Sequence, residues 1–309
     1  MARTERRQRK KGISPGIFLT MMVIFAGLSF TMLWSLQVKA SEVQKTEQIL
    51  QIEQQQNKEL QLTIEKMQKE NEETKQQMEQ LKKEVEELEL KNLSKAQNEK
   101  EATLKIAYLT FDDGPSGNTP KILDILKEKN IPATFFVVGN QEMKATYKRI
   151  VDEGHTLGNH TYGHDYKGIY KSTETFFADV EKLNDLLEET TGQRSKILRF
   201  PGGSNNTVSR HAGGKGIMNI MTQAVLEEGY RYFDWNVDSQ DASKAKQSKD
   251  VIVKSVLSGA NHTNKAVILM HDAPAKTTTV DALPEIIDGL TQKGFIFRGL
   301  DMNAPAVQF

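Results

Sequence analysis

Apolar residues fall along this 309-residue chain in three successive patterns. The first is an uncharged run at residues 16–36, GIFLTMMVIFAGLSFTMLWSL. A helix rises about 1.5 Å per residue, so roughly 20 such residues cross the ~30 Å hydrocarbon core of a bilayer. The run predicts a transmembrane anchor over residues 13–38, with Trp34 near its outer end, where aromatic side chains favour the interface. In the second pattern, over residues 41–102, Pro and Gly are absent and apolar residues recur at alternating spacings of three and four: Leu60, Ile64, Met67, then Met78, Leu81, Val85 and Leu88. Asn71 and Thr74 complete that frame, and Val43, Leu50 and Asn57 extend it backwards. This is a heptad seam, and it predicts a coiled-coil stalk; Asn at seam positions fixes register and oligomer number at some cost in stability. Helical throughout, about sixty residues would span roughly 90 Å.

The third pattern covers residues 103–309, where short apolar runs alternate with amphipathic stretches. Strands are predicted at KIAYLTF (105–111), ATFFVVG (133–139), KILRF (196–200), YRYFDW (230–235), AVILMH (266–271) and GFIFRGL (294–300). Helices are predicted to begin near Thr119, Gln141, Ser172, Gly216, Lys249 and Val280. Strand followed by helix, repeated, implies an α/β domain with a largely parallel sheet, long enough for a closed or nearly closed barrel. In such barrels chemistry sits at the C-terminal ends of the strands.

Composition changes the picture mainly by region. The 41 basic and 41 acidic side chains cancel, which gives no reason to expect nucleic acid as a partner. Yet residues 1–12, MARTERRQRKKG, are strongly basic. As a cytoplasmic tail they would orient the anchor so that everything beyond it lies outside the cell. A cleaved signal peptide is the competing reading, since Val38, Lys39 and Ala40 before Ser41 resemble a cleavage site, although the apolar run exceeds the usual h-region of about 7–15 residues. A retained anchor would insert every copy the same way round, so the stalk would form a parallel homo-oligomer. With no Cys there is no disulfide framework, thiolate metal site or cysteine nucleophile. No GxSxG elbow is present, which disfavours a serine esterase.

Polar residues gather where the predicted strands end. Asp112 and Asp113 leave the first strand side by side, followed by Gly114 and Pro115; one carboxylate can bind a metal while the other accepts a proton, though Asp-Gly-Pro is also an ordinary turn. His160 and His164 stand four apart, on one face if that segment is a helical turn, and imidazole suits zinc and similar divalent metals. Two of the chain's six histidines fall there, while His155 just upstream reads as structural. Arg199 precedes Pro201, Gly202 and Gly203, whose backbone N–H groups a ligand can approach closely. Asp238 and Asp241 follow the fourth of these strands, and His271 with Asp272 follows the fifth, where the histidine is either a general acid or a hydrogen-bonded cap.

In this order, TFDDGP (110–115), HTYGH (160–164), RFPGG (199–203), residues 235–241 and LMHD (269–272) resemble the five motifs of the polysaccharide deacetylase family. IPATFFVVGN (131–140) and EGHTLGNHT (153–161) resemble it too, so the likeness spans nearly all of residues 104–300. It implies a deformed (β/α) barrel with fewer than eight complete units. It also implies that Asp113, His160 and His164 bind one divalent metal, Zn2+ with Co2+ or Mn2+ as alternatives, and that Asp112 is the general base. A backbone N–H near Pro201 and Gly202 would hold the oxyanion, and His271 would protonate the leaving amine. Arg199 would hold Asp112, and Asp241 would orient His271. Two departures stand out: the family usually has Tyr where this chain has Gly202, and Trp where it has Ala242. Both would change the walls of the sugar groove and leave metal and base untouched.

The expected function is removal of N-acetyl groups from N-acetylglucosamine in a cell-surface polysaccharide, peptidoglycan above others, because anchor and stalk suit an immobile polymer. The rivals are an O-acetyl polysaccharide esterase on the same scaffold and a catalytically silent coiled-coil or sugar-binding scaffold.

Overall fold

The computed structural model describes residues 14–309; the basic tail read at residues 1–12 lies outside the described residues. The described residues divide into two units, with the boundary between Ser94 and Lys95.

The first unit consists of helix α1 (Pro15–Thr103), whose last turns belong to the second. Proline suits its first position, where the missing N–H has no intrahelical partner to lose. By length and composition this helix can cross a membrane in its N-terminal part, and it is the one such helix among the described residues. Its apolar side chains are exposed, both in the run from Ile17 to Val38 and at the seam positions Leu60, Ile64, Met67, Met78, Leu81, Val85 and Leu88. Their relative exposure runs from 44% at Val38 to 73% at Phe25.

The second unit is a curled parallel sheet with helices packed on it. In chain order its elements are β1 (Ile106–Asp112), α2 (Thr119–Lys129), β2 (Thr134–Val137), α3 (Lys144–Asp152), β3 (Thr156–Asn159), the one-turn α4 (Tyr166–Ile169), α5 (Thr173–Thr191), β4 (Ile197–Leu198), the one-turn α6 (Arg210–Gly213), α7 (Ile217–Glu227), β5 (Arg231–Tyr232), β6 (Val237–Asp238), α8 (Lys249–Gly259), β7 (Lys265–His271), α9 (Thr277–Gln292) and β8 (Ile296–Phe297). The strand order is β5-β4-β3-β2-β1-β7-β6, with β8 paired to the start of β1, and every pairing is parallel. Among the described residues β5 and β6 do not pair with each other, so the barrel stays open.

Burial explains the centre of this order. All seven residues of β1 are buried, as a strand covered on both faces requires, and it runs beside β7 from Ile106–Lys265 to Asp112–His271. Ala107, Leu109 and Phe111 pack with Ile268 and Met270 against the inward faces of α2, α8 and α9. Ser172 caps α5 with a reciprocal Ser172–Thr175 capping box, and Gly192 closes it in a left-handed turn.

Three details differ from the sequence expectation. β3 and β6 were not foreseen, because TLGN ends in turn-favouring residues and Val237–Asp238 is only two residues long. Residues 160–165 form an irregular loop, so the i, i+4 helical turn expected for His160 and His164 is absent. Finally, α3 begins at Lys144 after a 3-10 turn at Gln141–Met143, and α9 begins at Thr277, one turn before Val280.

Candidate active site

Parallel strands deliver their C-terminal residues to one edge of the sheet, and β1, β2 and β3 end there beside β7. Asp112 closes β1 and Asp113 follows it in the left-handed region at φ 73°. Thr161 and His164 also have positive φ, 66° and 50°. For residues with side chains this backbone is held only where surroundings over-determine it, and such residues cluster at functional sites. Here the surroundings are visible. Asn159 Oδ1 accepts from the Thr161 N–H at 2.9 Å, Asp179 Oδ2 accepts from the Gly163 N–H at 2.8 Å, and Thr161 Oγ1 accepts from the His164 N–H at 3.2 Å. The two histidines therefore converge through a braced loop, with ring centroids 5.1 Å apart.

The turn after Asp113 is equally constrained. A Cβ on Gly114 would overlap the carboxylate of Asp272, so glycine is required by the close approach of the two segments. Asp272 accepts from Thr119 Oγ1, its backbone N–H donates to Asp112 O at 3.1 Å, and its carbonyl accepts from Ser116 Oγ. Burial pushes its carboxyl up to about 7. Asp272 thus fastens the 112–119 turn to the end of β7.

Asp113, His160 and His164 offer ligand atoms that all lie within 4.8 Å of one another. Asp113 Oδ1 is 3.3 Å from His164 Nε2 and 3.6 Å from His160 Nε2. Bonds of about 2.1 Å to a single ion give ligand–ligand separations of about 3.0–3.4 Å, so the set fits a small divalent cation with slight adjustment. The protonation of His160 fits as well. Its Nδ1 lies 2.8 Å from the carbonyl oxygen of Arg199, which can only accept, so Nδ1 carries the hydrogen and Nε2 presents its lone pair. Burial, partly opposed by the charge of Asp113, pulls His160 down to about 3, so the ring is neutral at physiological pH, as a ligand must be.

Asp112 lies against this cluster, with Oδ2 3.9 Å from His160 Nε2. Its other oxygen accepts from Arg199 Nη1 at 2.8 Å. Arg199 is completely buried, and each of its three nitrogens donates: Nη1 also to Thr110 Oγ1 at 2.7 Å, Nε to Phe233 O at 2.9 Å and Nη2 to Asp234 O at 2.9 Å. The guanidinium also sits over Phe136, 4.3 Å from the ring centroid. Burial raises Asp112 above the ordinary carboxylate range, with Arg199 pulling the other way. A raised pKa makes a carboxylate a stronger proton acceptor.

His271 faces Asp112 across the β1–β7 pair. Asp241 holds it twice, with Oδ1 2.7 Å from His271 Nδ1 and Oδ2 accepting the His271 backbone N–H at 2.8 Å; Thr279 Oγ1 donates to Oδ2 at 2.9 Å. Burial alone would depress His271, but the hydrogen bond and charge of Asp241, with the charges of Asp112 and Asp113, overcome it and raise the ring to about 9. Burial likewise works against ionisation of Asp241, and its bonds to His271 and Thr279 hold it below its usual value. The pair is an imidazolium–carboxylate with Nδ1 engaged and Nε2 left to donate.

Pro201 and Gly202 complete the set. Pro201 is buried, and its carbonyl accepts from Tyr170 Oη at 2.8 Å. Gly202 is exposed at φ 78°, and among the described residues its N–H donates to no protein atom. Asp238, singled out with Asp241, is exposed, and its Oδ1 accepts from the Gln240 N–H at 2.7 Å. His155 is buried and accepts the Ala133 N–H at 3.2 Å, away from the cluster. Sequence reasoning missed Asn159, Asp179, Thr279 and Tyr166, none of which belongs to a pattern with its own chemical signal. Only Asn159, next to His160, was within reach of the motif.

The polysaccharide deacetylase family model matches residues 99–216. A peptidoglycan-N-acetylglucosamine deacetylase of Bacillus cereus (strain ATCC 14579) is 34% identical over 200 residues, which are 63% of this chain and 68% of that protein. Among solved structures, the catalytic domain of a peptidoglycan N-acetylglucosamine deacetylase from Eubacterium rectale ATCC 33656 is 38% identical with a TM-score of 0.64, over 66% of this chain and 92% of that one. A CE4 esterase of Streptococcus mutans is 30% identical with a TM-score of 0.57, over 65% of this chain and 87% of that one. The chain belongs to the polysaccharide deacetylase family, whose members are metal-dependent hydrolases.

Proposed function

We propose that the chain removes N-acetyl groups from N-acetylglucosamine residues of peptidoglycan, using Asp113, His160 and His164 to hold one Zn2+. The observation that carries this reading is the convergence of those three side chains with Asp112 and His271 at adjacent strand ends. When bound, the cation supplies Lewis acidity, lowering the pKa of a water and polarising the acetyl carbonyl.

The chain's own residues do the rest. Asp112 Oδ2 accepts a proton from the attacking water, while Arg199 keeps the carboxylate oriented through Oδ1. Water oxygen adds to the carbonyl carbon, and the Gly202 N–H donates to the oxyanion that forms. The C–N bond then breaks as His271 Nε2 gives its proton to the departing nitrogen, since an amine anion is too poor a leaving group to go unprotonated. Asp241, fixed by Thr279, holds His271 protonated and aimed. The products are acetate and a free glucosamine amine.

The apolar part of α1 is the anchor, crossing the cell membrane once with the N-terminus cytoplasmic and the deacetylase domain outside. Residues 41–102 are the stalk, and their exposed seam pairs with a second copy in a parallel coiled coil. Such delivery suits an insoluble polymer close to the membrane.

The test is acetate release by the full chain, purified in detergent, from peptidoglycan, N-acetylglucosamine oligomers and acetylated xylan, with and without chelator. Chelator-sensitive release from the first two supports the reading. Release from xylan alone makes the chain an O-acetyl esterase, and release from none, with no zinc bound, makes it a silent scaffold.

A further inference from the structure

Gly202 carries no side chain, yet the space beside it is filled. A Cβ there would lie 2.9 Å from Tyr166 Oη and 3.1 Å from Tyr166 Cε1, both tighter than an ordinary contact. Tyr166 opens α4, two residues beyond His164, where the Asp165 carboxylate accepts the Lys167 N–H at 3.1 Å and sets the turn. Its ring meets the His164 ring edge-on, with centroids 5.4 Å apart at 86°. Behind it stands Tyr170, 5.9 Å away and tied to Pro201 O through its own hydroxyl. The Tyr166 side chain therefore bridges a metal-site imidazole and the turn that presents the free Gly202 N–H. It is half-buried, and among the described residues its hydroxyl bonds to no protein atom.

We propose that Tyr166 is a substrate-positioning residue whose ring forms the wall against which the acetylated sugar packs, between His164 and the Gly202 N–H. Pyranose rings present apolar C–H faces, and an aromatic plate beside a few oriented polar groups is how concave sites select and orient such ligands. The wall comes from the loop after HTYGH because Tyr166 occupies the place a side chain at 202 would take. The proposal rests on the deacetylase reading above.

The experiment compares Tyr166→Ala, Tyr166→Leu, Tyr166→Phe, Gly202→Tyr and the double variant Tyr166→Ala/Gly202→Tyr in the full chain. Each is measured for zinc affinity by calorimetry and for kcat and KM on an N-acetylglucosamine tetramer. Tyr166→Ala and Tyr166→Leu are expected to raise KM by about tenfold, with kcat and zinc affinity within about twofold of the parent. Tyr166→Phe keeps the wall and stays within about threefold of the parent KM. Gly202→Tyr alone weakens binding because it collides with Tyr166 and is strained at φ 78°, whereas in the Tyr166→Ala background the collision is relieved and part of that loss is recovered. An unchanged KM in both Tyr166→Ala and Tyr166→Leu, or a loss confined to zinc affinity or kcat, overturns the proposal. A zinc-loaded parent that releases no acetate overturns the deacetylase reading instead.

Discussion

Asp112 and His271 are register partners at the C-terminal ends of adjacent parallel strands, β1 and β7. Neighbouring strands lie about 4.8 Å apart and residues in register point to the same face, so the sheet itself sets the spacing between the proposed proton acceptor and the proposed proton donor. Each is then held by a buried group from a different strand end: Arg199 beyond β4 for Asp112, and Asp241 beyond β6 for His271. Substituting the acceptor should stop proton transfer while leaving the cation site intact. Asp112→Asn is expected to lower kcat by about 10²–10⁴-fold with zinc still bound, measured by acetate release and calorimetry on the same preparation.

The pH dependence has a definite sign. His271 is raised from 6.5 to about 9, so its ion pair with Asp241 stabilises the fold fully below about 6.5 and that contribution is lost as pH rises through about 9. The rate should fall over the same upper limb as the acid deprotonates. In Asp241→Asn the main raising partner is gone while burial and the charges of Asp112 and Asp113 remain, which moves the limb of the kcat profile to lower pH. A profile unchanged by Asp241→Asn would contradict the assignment.

Arg199 and Asp112 form a pair sealed from water. Removing only the cation, as in Arg199→Met, should destabilise the domain by about 3–5 kcal/mol, because a buried carboxylate and two carbonyls lose their donor. Arg199→Met combined with Asp112→Asn should recover part of that loss in chemical denaturation, since no unpaired charge remains.

The proposed cation site uses a neutral His160 and three donors from two loops. His160→Ala and Asp113→Ala should each abolish tight zinc binding by calorimetry, and chelation should remove activity reversibly. Ala at Asp241 should leave zinc binding within about threefold, because that carboxylate touches His271 and not the cluster.

The stalk is testable through the chain's lack of cysteine. Ile64→Cys and Met78→Cys should each give a same-residue disulfide between two copies in detergent or membranes, and cross-linking at both positions is what only a parallel, in-register coil allows. Absence of the cross-link at both positions, with the protein monomeric in sedimentation, would remove the oligomer.

Much of this was legible in the chain. The strand-end carboxylates and histidines stand out because a buried apolar run such as AYLTF ending in Asp112 and Asp113 has no packing reason to do so. The short strands β3 and β6 did not stand out, since two to four residues carry too little periodicity to be told from loop. The His160–His164 spacing suggested a helical turn, and the structure achieves convergence by a loop braced from Asn159 and Asp179, contacts that no local pattern announces. Gly202 was legible as a departure, but its consequence was not, because Tyr166 lies 36 positions earlier and meets it only through the fold.

The most direct test of the whole account is acetate release from purified peptidoglycan by the zinc-loaded full chain, run beside its Asp112→Asn variant and a chelated sample. Release should end with chelation, return with zinc and fall by about 10²–10⁴-fold in Asp112→Asn. Release that persists through both chelation and Asp112→Asn would contradict the account.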